Sequence, residues 1–250
     1  MKNVTDNFSI KKYEEKFKYV FKNPLLLCEA LTHTSFSNEY YQKTGMHIPN
    51  NERLEFLGDS VLGVVISTRI FERFPEFSEG KLSKIRSAIV CENSLAECFS
   101  KNGLKEFLVL GRGEELSGGR DRFSILADCF EAVIGAIYLD GGFDSAEKYI
   151  GSIMQSAIEA GIKNYNMADV KTLLQEVVRR EGNLVPHYEV VSSSGPDHNR
   201  LFNVRVDIVC NDGANNPFKD LFGEGTGQSK KEAEQKAALN IMNKGNLKNE

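Results

Sequence analysis

The chain has 250 residues, a length that fits one large domain or two modest ones. Its composition, 41% hydrophobic and 26% charged with no Trp, is that of a soluble globular protein and excludes fibrous, collagenous and wholly disordered chains. The net charge of -4 gives no global attraction for nucleic acid, so any such binding has to be local. No apolar run approaches a membrane span, and the opening residues Met1-Lys-Asn-Val-Thr-Asp hold no apolar secretory core. Five scattered cysteines (Cys28, Cys91, Cys98, Cys129, Cys210) contain no C-x-x-C pair. They give neither a disulfide framework nor a thiolate zinc site, and they suit a reducing cytoplasm.

Residues 1–160 read as mostly helical. Apolar residues recur at helical spacing in Val61–Ile66, Leu95–Phe99 and Ala146–Ile158, with Asn23-Pro24, Gly45, Pro49, Gly80, Gly103, Gly118-Gly119 and Gly141-Gly142 as punctuation. The small polar stretch 161–168 reads as a linker. Asp169 then caps a helix running to about Glu181, and Pro186–Val191 is extended. Phe202, Val204, Val206 and Ile208 alternate with polar residues as a half-buried strand. Asn211–Pro217 predicts a turn, Phe218–Phe222 a third strand, and Ser229 the cap of a last helix over Lys230–Met242. The expected fold is multidomain, α followed by α+β. An all-helical domain (1–160) and a linker (161–168) precede a small α-β-β-β-α domain (169–245) and a short tail (246–250).

The segment Asn51–Leu62 carries Glu52, Glu55 and Asp59. Offsets of three and seven place all three within roughly 60° of one helical face. Leu54, Leu57, Val61 and Val65 lie opposite and can hold the helix to a core. The commoner meaning of such a stripe is a solvated acidic face. A second acidic pair, Asp128 and Glu131, sits in Ile125–Leu139, a segment apolar nearly all round and therefore buried. Burying neighbouring carboxylates costs several kcal/mol unless cations or donors compensate. Either these acids satisfy backbone amides at a helix start, or two acids from each of two helices form the oxygen-rich set preferred by Mg2+ or Mn2+. Histidines are few and not at ligand spacing, which argues against zinc. Phe56 flanks the acidic face off the core stripe, as an exposed accident or part of an interface.

Residues 169–245 hold ten basic against eleven acidic side chains, net -1. The local signal is Gly223-Glu-Gly-Thr-Gly-Gln-Ser-Lys-Lys231, where glycines lead into a helix start carrying Lys230 and Lys231. Lysines there oppose the helix dipole, which an anionic partner would explain and which an ordinary solvated helix start also permits. The loop Ser192–Asn199 exposes His198.

Together these segments resemble bacterial ribonuclease III. The resemblance rests on Asn51-Glu-Arg-Leu-Glu-Phe-Leu-Gly-Asp-Ser60, Ala30-Leu-Thr-His-Thr-Ser35, Glu79-Gly-Lys-Leu-Ser83, Leu110-Gly-Arg-Gly-Glu114 and Ser124-Ile-Leu-Ala-Asp-Cys-Phe-Glu-Ala132. The second half resembles a double-stranded-RNA-binding domain, and the likeness spans roughly residues 10–243. It implies an all-helical, dimerising nuclease domain. It also implies metal-dependent hydrolysis of duplex RNA to 5'-phosphate and 3'-hydroxyl ends. By position, Glu55, Asp59, Asp128 and Glu131 would hold Mg2+, with Mn2+ able to substitute, and Asp59 and Glu131 would be catalytic. Glu52 and Glu79 match accessory acids, and Phe56 an aromatic that plugs into the partner subunit of a homodimer. Gln175, Glu176 and His198 match minor-groove contacts, and Lys230 and Lys231 phosphate contacts. Glu234 stands where many such domains carry a third lysine. No organic cofactor and no membrane partner are expected, the location implied is the cytoplasm, and the implied substrates are precursors of ribosomal RNA and of some messenger and transfer RNA.

Overall fold

Helical periodicity and glycine punctuation produce, in order, α1 (Pro24–Ala30), α2 (Thr34–Thr44), α3 (Glu52–Arg73), α4 (Glu79–Ile89), α5 (Glu92–Lys101), α6 (Arg112–Leu116), α7 (Phe123–Gly141) and α8 (Phe143–Arg180). Strands β1 (Leu184–Ser194), β2 (Leu201–Cys210) and β3 (Phe222–Gly227) and helix α9 (Lys230–Lys244) follow. The computed structural model describes residues 16, 18–196, 200–210 and 216–247. The chain splits into two compact units, residues 1–162 and 163–250.

The first unit is built around α7. Eleven of its residues, from Ile125 to Ile137, are buried, as its all-round apolar sequence demands. α3 packs along it through Leu54, Gly58, Val61, Leu62 and Val65. The approach is backbone to backbone. A Cβ on Gly58 would overlap the Glu131 carbonyl, and one on Gly135 would overlap the Leu54 carbonyl. Two glycines facing each other let the helices come closer than any side chain would allow. Gly58 thus takes the core-facing place expected for Leu57, which is only partly buried.

Stretch 161–168 is helical in backbone, inside α8, rather than irregular, and the division between the units falls within it. Ile162 and Tyr165 are buried there, which places apolar anchors in a segment otherwise small and polar. The helix expected to start at Asp169 is therefore the later part of α8.

In the second unit the strands form an antiparallel sheet in the order β1-β2-β3, with Val204, Val206 and Ile208 facing α8 and α9 residues in one core. The third strand lies later than the sequence suggests, at Phe222–Gly227 in place of Phe218–Phe222. The glycines read as a loop are strand residues paired with β2: Gly223 with Val206, Gly225 with Val204, Gly227 with Phe202. Their alternation puts all three against α9, where a Cβ would overlap the Ala237 carbonyl at Gly223, the Ala233 carbonyl at Gly225 and the Ala233 amide at Gly227. They are glycine because the helix lies directly on the strand. Ser229 caps α9 as expected, its Oγ accepting from the Glu232 amide at 3.2 Å, while Glu232 reaches back to the Gln228 amide at 2.8 Å.

Candidate active site

The close crossing of α3 and α7 determines where the acids go. Glu55 and Asp59 flank Gly58 on α3, and Asp128 and Glu131 precede Gly135 on α7, so the glycine contact draws the two acidic pairs together. One carboxylate oxygen from each of Glu55, Asp128 and Glu131 lies within 4.8 Å of the others, and all three side chains are half-buried. Asp59, more exposed, stands outside that trio, yet its charge acts on Glu131 more strongly than that of any other acid.

The electrostatics show how unfavourable this set is without a cation. The Glu131 carboxyl is pushed up to about 8 by burial and then by Asp59, Asp128 and Glu55. Glu55 is raised by burial, then by Asp128, Glu52 and Asp59. Asp128 is raised by burial and then by Glu92. Carboxylates held at this spacing repel one another, and oxygen donors alone are the ligand chemistry of hard divalent ions. The residues therefore fit a Mg2+-type ion.

The rim contains groups that the sequence did not single out. His33, within the Ala30–Ser35 motif, accepts the Ser35 amide at Nδ1, 3.2 Å away, and its neighbouring charges include Glu114, Asp128 and Glu52. Glu114 is held by Arg122 at 2.7 Å. Glu92 opens α5 beside Asp128. A histidine inside a motif quoted only for the family resemblance, and an acid at an ordinary helix start, gave no periodic signal.

The remaining expected residues divide clearly. Glu52 is exposed in the first turn of α3, accepts from Asn50 Nδ2 at 3.2 Å, and adds its charge to Glu55. Glu79 is not among the charges that shift the cluster. It accepts from Ser83 Oγ at 2.7 Å and lines a separate cavity of about 640 Å³ with Phe71, Phe77 and Arg86. Phe56 is 78% exposed and shares its face of α3 with Val64 and Phe71, also exposed. Gln175 and Glu176 are exposed on α8, and Lys230 and Lys231 on α9, where neither lysine makes an ion pair among the described residues. His198 lies outside the described residues.

A helical unit with a cluster of carboxylates suited to a divalent cation, followed by an α-β-β-β-α unit whose Lys230 and Lys231 make no ion pair among the described residues, is the make-up of a two-module nuclease for duplex RNA. The family comparisons agree with that class. Residues 23–157 match the Ribonuclease-III-like model and residues 170–244 the double-stranded RNA binding motif. The chain is similar to Ribonuclease 3 of Symbiobacterium thermophilum, 46% identical over 91% of each chain. It is also similar to Ribonuclease 3 of Caldanaerobacter subterraneus, 45% identical over 92% of this chain and 96% of the relative. The nuclease domain of the Campylobacter jejuni enzyme superposes with a TM-score of 0.53 at 40% identity, covering 59% of this chain and 95% of the domain. A second structure of that domain, described for flexibility in its dimer-forming region, gives 0.54 at 40% identity over 60% of this chain and 98% of the domain. The chain belongs to the ribonuclease III family, the double-strand-specific endoribonucleases. Among the described residues no helix is long and apolar enough to cross a membrane.

Proposed function

We propose that the chain hydrolyses duplex RNA at the Glu55–Asp59–Asp128–Glu131 cluster in a Mg2+-dependent reaction, leaving 5'-phosphate and 3'-hydroxyl ends. The observation that carries this reading is the trio of half-buried carboxylate oxygens within 4.8 Å, with Glu131 pushed up to about 8. A divalent ion bound there would supply positive charge for the phosphate and lower the pKa of a water. Glu55, Asp128 and Glu131 would hold it from two helices whose spacing is fixed by glycine. Asp59, the exposed acid of the set, acts on Glu131 through its charge and serves as the proton acceptor open to solvent. Without the ion these acids repel the backbone of the substrate, so they contribute to binding only when loaded.

The second unit supplies capture. Lys230 and Lys231 project from the α9 start with no acid partner among the described residues, and Gln175 and Glu176 are open on α8. This is the arrangement that meets phosphates across the major groove and 2'-hydroxyls in the minor groove of an A-form duplex. The exposed stripe Phe56, Val64 and Phe71, with Ser60, Gly63 and Ser67 between them, supports assembly as a homodimer through α3. Two sites in such a dimer cut both strands. The division proposed is nuclease over 1–160 and RNA capture over 169–245, joined through 161–168. The work proposed is cytoplasmic processing of ribosomal RNA precursors and of some messenger and transfer RNA precursors. A cleavage assay on duplex and single-stranded RNA, with Mg2+ and with EDTA, tests it. Cleavage of the duplex alone, with Mg2+ and not with EDTA, is expected, and EDTA-resistant cleavage contradicts it.

A further inference from the structure

Glu234 is the residue that phosphate capture by α9 leaves unaccounted for. It follows Lys230 by four residues and Lys231 by three, so the three share a face of the helix. A bare carboxylate there opposes the anion that the lysines attract. The structure pairs it with a residue of another helix. Lys171 Nζ donates to Glu234 Oε2 at 2.6 Å, with the two side chains 34% and 28% exposed. The same ammonium lies 4.3 Å from the centre of the Tyr188 ring, which packs on the core of this unit. The Tyr188 hydroxyl is buried without a hydrogen-bond partner among the described residues, so it gives Glu234 no alternative donor. Lys171 is also four residues before Gln175, on the same face of α8.

Salt bridge and cation–π contact together hold Lys171 in one place, unlike a free surface lysine. Its ammonium is committed to Glu234, while Lys230 and Lys231 make no ion pair among the described residues. Lys171 thus offsets the one acid that shares a helix face with Lys230 and Lys231.

We propose that Lys171 is a positioning residue for duplex-RNA capture, acting by neutralising Glu234 beside Lys230 and Lys231. This rests on the reading of the second unit as the capture module. Binding of the full chain to an RNA duplex of roughly 30 base pairs, longer than the ~16 that one such domain spans, tests it with Ca2+ in place of Mg2+. Lys171→Met, which keeps the packing on Tyr188, should weaken binding about five-fold, while Lys171→Arg keeps it. Glu234→Gln should bind at least as well as the unchanged chain. The double variant Lys171→Met/Glu234→Gln should return to within about two-fold of the unchanged chain, because the effect travels through Glu234. A double variant as weak as Lys171→Met, with a shallower salt dependence, would show Lys171 touching RNA itself and overturn the proposal. So would a Lys171→Met chain whose melting temperature falls while its affinity stays. If the unchanged chain does not bind duplex RNA, the capture reading itself fails, a result separable from equal binding by the unchanged and Lys171→Met chains.

Discussion

Gly58 of α3 and Gly135 of α7 meet with no side chain between them, and a Cβ on either would overlap the backbone of the opposite helix. The acids lie on both sides of that contact. Gly58→Ala should therefore push α3 away from Glu131, costing about 1–3 kcal/mol of stability through overpacking. Moving Glu55 and Asp59 by even about 1 Å should lower the cleavage rate about a hundred-fold. Thermal melting and single-turnover cleavage measured together check this. A Gly58→Ala chain with unchanged rate would separate the crossing from the site.

The raised Glu131 carboxyl predicts a pH dependence of stability in the metal-free protein. Its folded value, about 8, exceeds its ordinary 4.5, so the fold favours the protonated acid. That contribution is fully present below pH 4.5 and is lost as pH rises through about 8. In EDTA the melting temperature should fall across this window, relative to Glu131→Gln, and excess Mg2+ should remove the difference. Parallel curves for the two chains in EDTA would contradict it.

Phe56 is 78% exposed on a helix face shared with Val64 and Phe71. Phe56→Asp should convert a dimer to a monomer in sedimentation at micromolar concentration. The unchanged chain running as a monomer under the same conditions would remove the dimer reading.

How much of this was legible in the sequence depends on the kind of signal. Periodicity alone placed α7 and the two acidic pairs, because a buried helix is apolar all round and Asp128 and Glu131 interrupt it. The half-buried β2 followed from strict alternation. Gly223, Gly225 and Gly227 were misread because glycine marks both loops and strands under a close helix, and only the backbone of α9 tells the two apart. Glu52 and Asp59 share the face with Glu55 as spacing predicted, but spacing could not tell that Asp59 stays outside the oxygen trio. Nor could it show that Glu79 faces a different cavity. His33 and Glu92 carry no periodic signal, since their place beside Asp128 arises from tertiary packing. The apparent deficit at Glu234 reads differently once Lys171 is seen beside it.

Lys230 and Lys231 should act on capture rather than chemistry. Lys230→Ala/Lys231→Ala should flatten the dependence of log binding constant on log salt by about 0.7–0.9 per lysine, and should raise KM much more than it lowers kcat. An unchanged salt slope would mean that these lysines do not meet phosphates.

In the proposed reaction, carboxylates from α3 and α7 would hold the divalent ion on which cleavage of duplex RNA depends. Glu131→Gln tests it most directly, because it keeps side-chain volume and removes one charge from the most strongly raised of the acids. The measurement is single-turnover cleavage of duplex RNA at saturating enzyme and Mg2+, alongside duplex binding with Ca2+. The rate should fall by at least about a hundred-fold, with affinity for duplex RNA largely kept. A Glu131→Gln chain that cleaves at close to the original rate would contradict it.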